Sequence, residues 1–132
     1  MKHVLKKGKR IRHALNAPLI YSFIVPAVIT DVFLETYHQI GFRLCDIELV
    51  NRTDYIKIDR QKLSYLSNTQ KLNCMYCGYV NGLFNYGTEI AARSEEYWCG
   101  IQHELNKNFI APKHHKNFLK FGDEKSFKEK LN

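Results

Sequence analysis

The run "APLIYSFIVPAVITDVFL", Ala17 to Leu34, limits the fold more than any other stretch of this chain. It is almost wholly apolar, broken by Ser22, Thr30 and Asp31. As a helix it would be about 27 Å long at about 1.5 Å per residue, close to the ~30 Å hydrocarbon thickness of a bilayer. Two residues argue against a clean span. Pro26 lies mid-run, where it removes a helical hydrogen bond and favours a kink, and Asp31 is costly at membrane depth. A basic leader before an apolar run also resembles a signal peptide, but no convincing small-x-small cleavage site follows. The expectation is a proline-kinked, membrane-interface helix over 17–40 with a basic arm on anionic headgroups. The alternative is a buried core helix in a soluble domain.

Charge supports that placement. The chain has 132 residues and a net charge of +7, concentrated at its ends. Lys2, Lys6, Lys7, Lys9, Arg10 and Arg12 precede His13 with no acid among them. From Asn106 onward seven lysines face only Asp123, Glu124 and Glu129. Such ends attract phosphate, of lipid or of nucleic acid, or simply keep the protein soluble. The length is that of one domain. The division expected is a basic arm (1–13), a single domain (14–105) and a flexible lysine-rich tail (106–132) carrying His114 and His115.

After Gly41, "FRLCDIELVNRTDYIKIDR" shows short alternations around a turn at Asn51 to Asp54, which predicts two short strands or an extended loop. "QKLSYLSNTQKL" reads as a short helix or turn. From Asn81 to Trp98 the helical signal is strong. Val80, Phe84, Gly87, Ala91, Ser94 and Trp98 form one apolar row, with Leu83, Ile90 and Tyr97 beside it. Asn81, Asn85, Glu89 and Arg93 form a polar row at four-residue spacing, with Glu89 and Arg93 as a favourable pair. That row is either a solvated outer face or a seam for a partner or headgroup. The fold class expected is therefore mainly α: a small helical domain with an apolar N-terminal helix, a short extended or two-stranded middle, and a Cys-flanked helix.

The cysteines frame that last helix. Cys74 and Cys77 form a C-x-x-C pair before Gly78; Cys99 and His103 form C-x-x-x-H; Cys45 stands alone. The pattern suits reduced thiols in a cytosolic setting. Soft donors of this kind make a Cys3His site for zinc, with iron or an iron–sulfur cluster as alternatives. An unbroken helix between the halves would hold Cys77 and Cys99 about 33 Å apart, whereas ligands of one zinc lie within about 4 Å of each other. A shared site at Cys74, Cys77, Cys99 and His103 therefore needs a break near Asn85-Tyr86-Gly87, or two chains paired antiparallel as a homodimer. Without it, Cys74 and Cys77 read as a dithiol redox pair at a helix N-terminus or as structural cysteines.

Catalytic patterns are thin. Glu35 and His38 have E-x-x-H spacing, but the di-iron bundles that use it need a second copy, so they read as the polar end of the first helix, with His38 at a headgroup. Cys99 and His103 lack an obvious orienting acid. There is no glycine-rich phosphate loop.

Asn73, Cys74, Tyr76, Cys77, Tyr79, Asn81 and Gly82, followed by Glu89, Ile90, Ala91, Arg93, Glu95, Tyr97, Trp98, Cys99 and His103, match a pattern N-C-x-Y-C-x-Y-x-N-G … E-I-A-x-R-x-E-x-Y-W-C-x-x-x-H. In this the chain resembles an uncharacterised family of short bacterial proteins. It departs at Gly100 and Gln102, where that family tends to carry proline and lysine. The resemblance implies a common site and membrane proximity, and supplies no reaction. The reading from sequence is a small membrane-associated metal-binding protein at the cytoplasmic face of the inner membrane, peripheral or monotopic. The alternatives are a cytoplasmic dithiol redox protein and a nucleic-acid-binding module using the basic termini.

Overall fold

A computed structural model describes residues 10–131. The first nine residues of the basic arm lie outside the described residues. The elements run α1 (Arg10–Ser22), α2 (Ile24–Leu44), α3 (Arg52–Tyr55), α4 (Asn68–Trp98) and α5 (Glu124–Leu131), with 3-10 turns at Arg60–Lys62 and Lys113–Asn117. The protein is mainly helical, as its periodicity predicts. No strand forms among the described residues; only an isolated bridge joins Ile101 and Leu119. The middle segment is thus extended around the single turn of α3 rather than two-stranded.

The apolar run bends just before its proline. Pro26 occupies the first turn of α2, and the break falls at Phe23. A proline ring clashes with the carbonyl four residues earlier, here that of Ser22. Phe23 N–H donates to Ile20 O at 3.3 Å and Ala27 N–H to Phe23 O at 3.1 Å, which carries the chain across the bend. Before the bend, α1 is fastened to α4. Tyr76 Oη donates to Ile20 O at 2.6 Å, Tyr21 bonds Asn73, and Phe23 stacks on Phe84.

The α4 helix is the spine of the molecule, and it is longer than the periodicity alone suggested. It begins at a capping box. Ser67 Oγ accepts from Gln70 N–H at 3.3 Å and Gln70 Oε1 accepts from Ser67 N–H at 2.9 Å, two otherwise orphan donors satisfied reciprocally. The helix then runs without a break to Trp98. Two glycines one turn apart let the α3 segment cross it at contact distance. A Cβ on Gly82 would lie 2.8 Å from Ile56 Cα and Tyr55 O, and one on Gly78 would lie 2.9 Å from Lys57 O.

That crossing sets the buried face. Val80 and Leu83 pack with Ala27 in one cluster; Tyr86 and Ile90 pack with Phe42 and Val50 in the other. Of the apolar rows read from sequence, Val80, Leu83 and Ile90 point inward, while Phe84, Ala91 and Trp98 are exposed.

Gly100, at φ +61°, ends α4 in the left-handed region that glycine favours, and its N–H donates to Glu95 O at 3.1 Å. The lysine-rich tail then folds back instead of standing off as an arm. Leu119 N–H donates to Gly100 O at 2.8 Å and Gln102 N–H to Leu119 O at 2.7 Å. His115 and Phe118 are buried.

Candidate functional site

Two clusters of polar side chains stand out, one between α2 and α4 and one at the C-terminal end of α4.

The first begins with spacing. Asp31, Glu35 and His38 occur at steps of four and three, so one face of α2 carries all three. That face meets α3 and α4. Arg52, at the start of α3, grips Asp31 in a two-pronged pair with Nη1–Oδ1 and Nη2–Oδ2 both at 2.6 Å. Tyr79 Oη donates to Asp31 Oδ2 at 2.7 Å. Glu35 receives Tyr86 Oη at 2.8 Å and Gln39 Nε2 at 2.7 Å, with Arg52 Nη1 3.5 Å away. The Arg52 guanidinium also lies over the Tyr86 ring, 5.5 Å from its centre.

The hydrogen bonds of His38 define its tautomer. Val50 N–H donates to Nε2 at 2.9 Å, so Nε2 carries a lone pair. In the neutral ring the proton is then on Nδ1, which donates to Tyr86 Oη at 2.9 Å, and the Tyr86 hydroxyl in turn donates a hydrogen bond to Glu35. One directional chain runs from the Val50 backbone through an imidazole and a phenol to a carboxylate. His38 and Tyr86 are almost completely buried.

The environment tunes each group. The Arg52 hydrogen bonds hold the Asp31 carboxyl below its ordinary range, against the opposing effect of burial and with help from Tyr79. Burial works to raise Glu35, but hydrogen bonds from Gln39 and Tyr86 and the Arg52 charge outweigh it and leave it lowered. Burial lowers His38, with the Glu35 charge opposing and Arg43 and Arg93 adding to the drop. Burial and the Asp31 bond push Tyr79 up to about 12. The result is a set of fixed charge states: two carboxylates, one guanidinium and one neutral imidazole.

The second cluster centres on Glu95. His114 Nε2 lies 2.7 Å from Oε2, and His115 Nε2 lies 3.1 Å from Oε1. Those two contacts, His114 first, hold the Glu95 carboxyl below its ordinary range. The His103 and His115 rings are 5.5 Å apart, and one donor atom from each of Glu95, His103 and His115 lies within 4.8 Å of the others. The fold makes this meeting through Gln102. Its backbone pairs with Leu119 and its side-chain amide donates to His115 O at 2.8 Å and Phe118 O at 3.3 Å. Residues flanking both histidines are thereby tied together.

The four donors expected from sequence do not converge within one chain. Cys74 and Cys77 lie inside α4 and Cys99 caps its far end, so the unbroken helix separates the halves by the ~33 Å its length demands. No turn occurs at Asn85-Tyr86-Gly87, and the C-x-x-C pair is not at a helix N-terminus. Of the four, His103 alone enters a cluster with other donors among the described residues. The polar row also divides. Glu89 pairs with Arg93 Nε at 2.9 Å, and Arg93 Nη1 donates to Glu48 O at 3.0 Å, fixing the loop after α2. Asn81 and Asn85 are exposed, and Asn81 Nδ2 only folds back onto Cys77 O at 2.8 Å.

Glu35 and His38 are not a surface helix end. They form the centre of the α2–α4 interface with Asp31, Arg52 and Tyr86. The signal was present in the sequence: three ionisable residues on one face of an otherwise apolar helix must find partners inside the fold.

No protein-family model, curated protein or solved structure matches this chain.

Proposed function

We propose that this is a membrane-interface protein whose bent α1–α2 pair lies in the surface of an anionic bilayer and holds α4 against it. The observation that carries the reading is a mismatch between hydropathy and burial. The helical stretch Ala14–Leu44 contains a window with a mean hydropathy of 1.9, yet only 6% of that window is buried. A core helix of a soluble domain would bury such a surface. Here Leu15, Leu19, Val25, Val28, Val32 and Phe33 are exposed, while Asp31, Glu35 and His38 turn inward. That polarity is the inverse of a soluble amphipathic helix. It suits a segment whose outer surroundings are lipid, where ionisable groups face protein.

An in-plane position fits better than a span. The α4 helix packs along α2 and exposes Asn85, together with the Asn73 amide nitrogen and the Asn81 amide oxygen, whose other atoms bond Tyr21 and Cys77; hydrocarbon would offer these groups no partners. The arm carrying Lys2, Lys6, Lys7, Lys9, Arg10 and Arg12 adds roughly 1 kcal/mol of attraction per basic residue near an anionic surface. Free thiols at Cys45, Cys74, Cys77 and Cys99 suit a reducing compartment. Together these favour the cytoplasmic face of the inner membrane.

The test is co-sedimentation with vesicles. The full chain should pellet with vesicles containing anionic lipid, less with neutral ones, and high salt should release part of it. Val28→Glu with Val32→Glu should cut binding by about tenfold or more, since burying each valine is worth roughly 1.5 kcal/mol or more. A chain that stays soluble without detergent and ignores vesicles, or a double variant that binds normally, overturns the reading.

A further inference from the structure

The C-terminal cluster has the donor set of a metal centre. We propose that Glu95, His103 and His115 bind one divalent transition-metal ion of the zinc class, with a fourth position left for water. This site is separate from the cysteine pairs and from the membrane-facing surface of α1–α2.

One donor atom from each residue lies within 4.8 Å of the other two. Around a tetrahedral zinc with bonds of about 2.0–2.2 Å, neighbouring nitrogen and oxygen ligands stand about 3.3–3.5 Å apart. The Glu95–His115 contact of 3.1 Å is already near that spacing. Only small movements of His103, which is exposed, would close the set. Two imidazoles and a carboxylate are donors that zinc accepts, and three protein ligands leave one position open.

His115 is itself incompletely satisfied. Its ring is 3% exposed, Nε2 faces Glu95, and Nδ1 is buried without any hydrogen-bond partner. Without an ion, neither neutral tautomer satisfies the ring. A proton on Nε2 leaves a buried lone pair on Nδ1 with no donor. A proton on Nδ1 leaves a buried N–H with no acceptor and sets a lone pair against the carboxylate. Buried polar atoms are rarely abandoned in this way. A cation held between the Nε2 lone pair and the Glu95 carboxylate removes the second of these penalties and leaves the ring proton on Nδ1.

The donors are also held from outside the set. His114 Nε2 contacts Glu95 Oε2 at 2.7 Å, which orients the carboxylate as outer partners of metal ligands commonly do. The Gln102 amide bonds to His115 O and Phe118 O, and the Gly100–Leu119 pairing draws the two loop segments together. The His115 ring is stacked on Phe118 at 4.8 Å. The donors therefore stand on a braced segment.

The experiment is zinc titration of the purified full chain in detergent after chelator treatment, read by calorimetry and by the visible absorption of a cobalt substitute. His103→Ala is the principal variant because His103 is exposed and its loss should spare the fold, as circular dichroism would verify. A Cys74→Ser, Cys77→Ser double variant separates this site from thiolate binding. The expected result is one zinc per chain, retained in the cysteine variant and weakened about tenfold or more in His103→Ala. No uptake, uptake unchanged by His103→Ala, or uptake that disappears with the two cysteines overturns the proposal.

Discussion

The two long helices, α2 and α4, lie side by side and are built on opposite plans. The α4 helix follows the rule for soluble proteins: Val80, Leu83, Tyr86 and Ile90 face inward and asparagines face out. In α2 the order is reversed. Its buried residues are Ala27, His38 and Phe42, its acids are held between helices, and its valines, Ile29, Ile40 and Phe33 point away from the protein. The α2 helix thus brings charged groups to the interface beside Ala27 and Phe42, whereas α4 brings apolar packing and the Tyr79 and Tyr86 hydroxyls. In the proposed reading, lipid covers the outer face of α2.

The contrast is broken most directly by truncating one residue on each side of it. Tyr86 is fully buried and touches both the apolar cluster and the polar chain. Tyr86→Ala should cost about 3–5 kcal/mol and appear as a large drop in the urea midpoint. Val32 is 61% exposed on α2, and Val32→Ala should stay within about 0.5 kcal/mol. A comparable loss at Val32 would mean that the outer face of α2 is packed against protein, and the distinction between the helices would disappear.

A smaller effect sharpens the account of α4. Gly82→Ala drives a Cβ to 2.8 Å from backbone atoms of Tyr55 and Ile56, which cannot swing aside as a side chain can. It should cost about 1–3 kcal/mol. Gly87→Ala meets only the end of Leu34, at 3.3 Å. There the gain in helix propensity, about 1 kcal/mol, should offset the crowding, so stability should be unchanged or raised. Thermal melts of both variants in detergent test the pair. Equal destabilisation would show that the α3 crossing does not depend on the glycines.

What could be read from the sequence divides along the same line. The helical class, the bend near Pro26 and the row that joins Leu83 to Ile90 follow from local periodicity and proline geometry. The outward turn of Phe84 and Trp98 does not, because it depends on α3 crossing at Gly78 and Gly82. The start of α4 was hidden by the glycines and cysteines of "NCMYCGYVNG", whose low helix propensity the packing overrides. The candidate sites were harder still. Asp31 finds Arg52, Glu35 finds Tyr86 and Glu95 finds His115, all across gaps in sequence that spacing rules do not see. The cysteine pattern pointed to one site because its motifs are local, but the helix between them keeps those motifs apart. His103 instead meets a histidine from the lysine-rich tail, a segment whose composition suggested no packed structure.

The smallest effect concerns the charge state at the centre of the α2–α4 interface. His38 must stay neutral for Nε2 to accept the Val50 N–H, and its pKa is lowered by burial from an ordinary value of 6.5. As pH falls below about 6.5, the unfolded chain takes up a proton that the folded one resists. The contribution of His38 to stability is therefore complete above that value and is lost as pH falls through the folded value. Three charges set the balance: Glu35 favours the protonated ring, while Arg43 and Arg93 oppose it. Asp31 and Glu35, both lowered, give a separate loss that begins only below their ordinary values of 3.8 and 4.5. Urea midpoints at pH 7.5 and 5.5 isolate the histidine. Wild type should be less stable at the lower pH, and His38→Gln should show a shallower dependence at reduced overall stability. The remaining histidines act in both proteins, so the difference in slope belongs to residue 38. Equal slopes would mean that protonation of this ring does not oppose the Val50 bond, and that the chain from Val50 to Glu35 does not fix its tautomer.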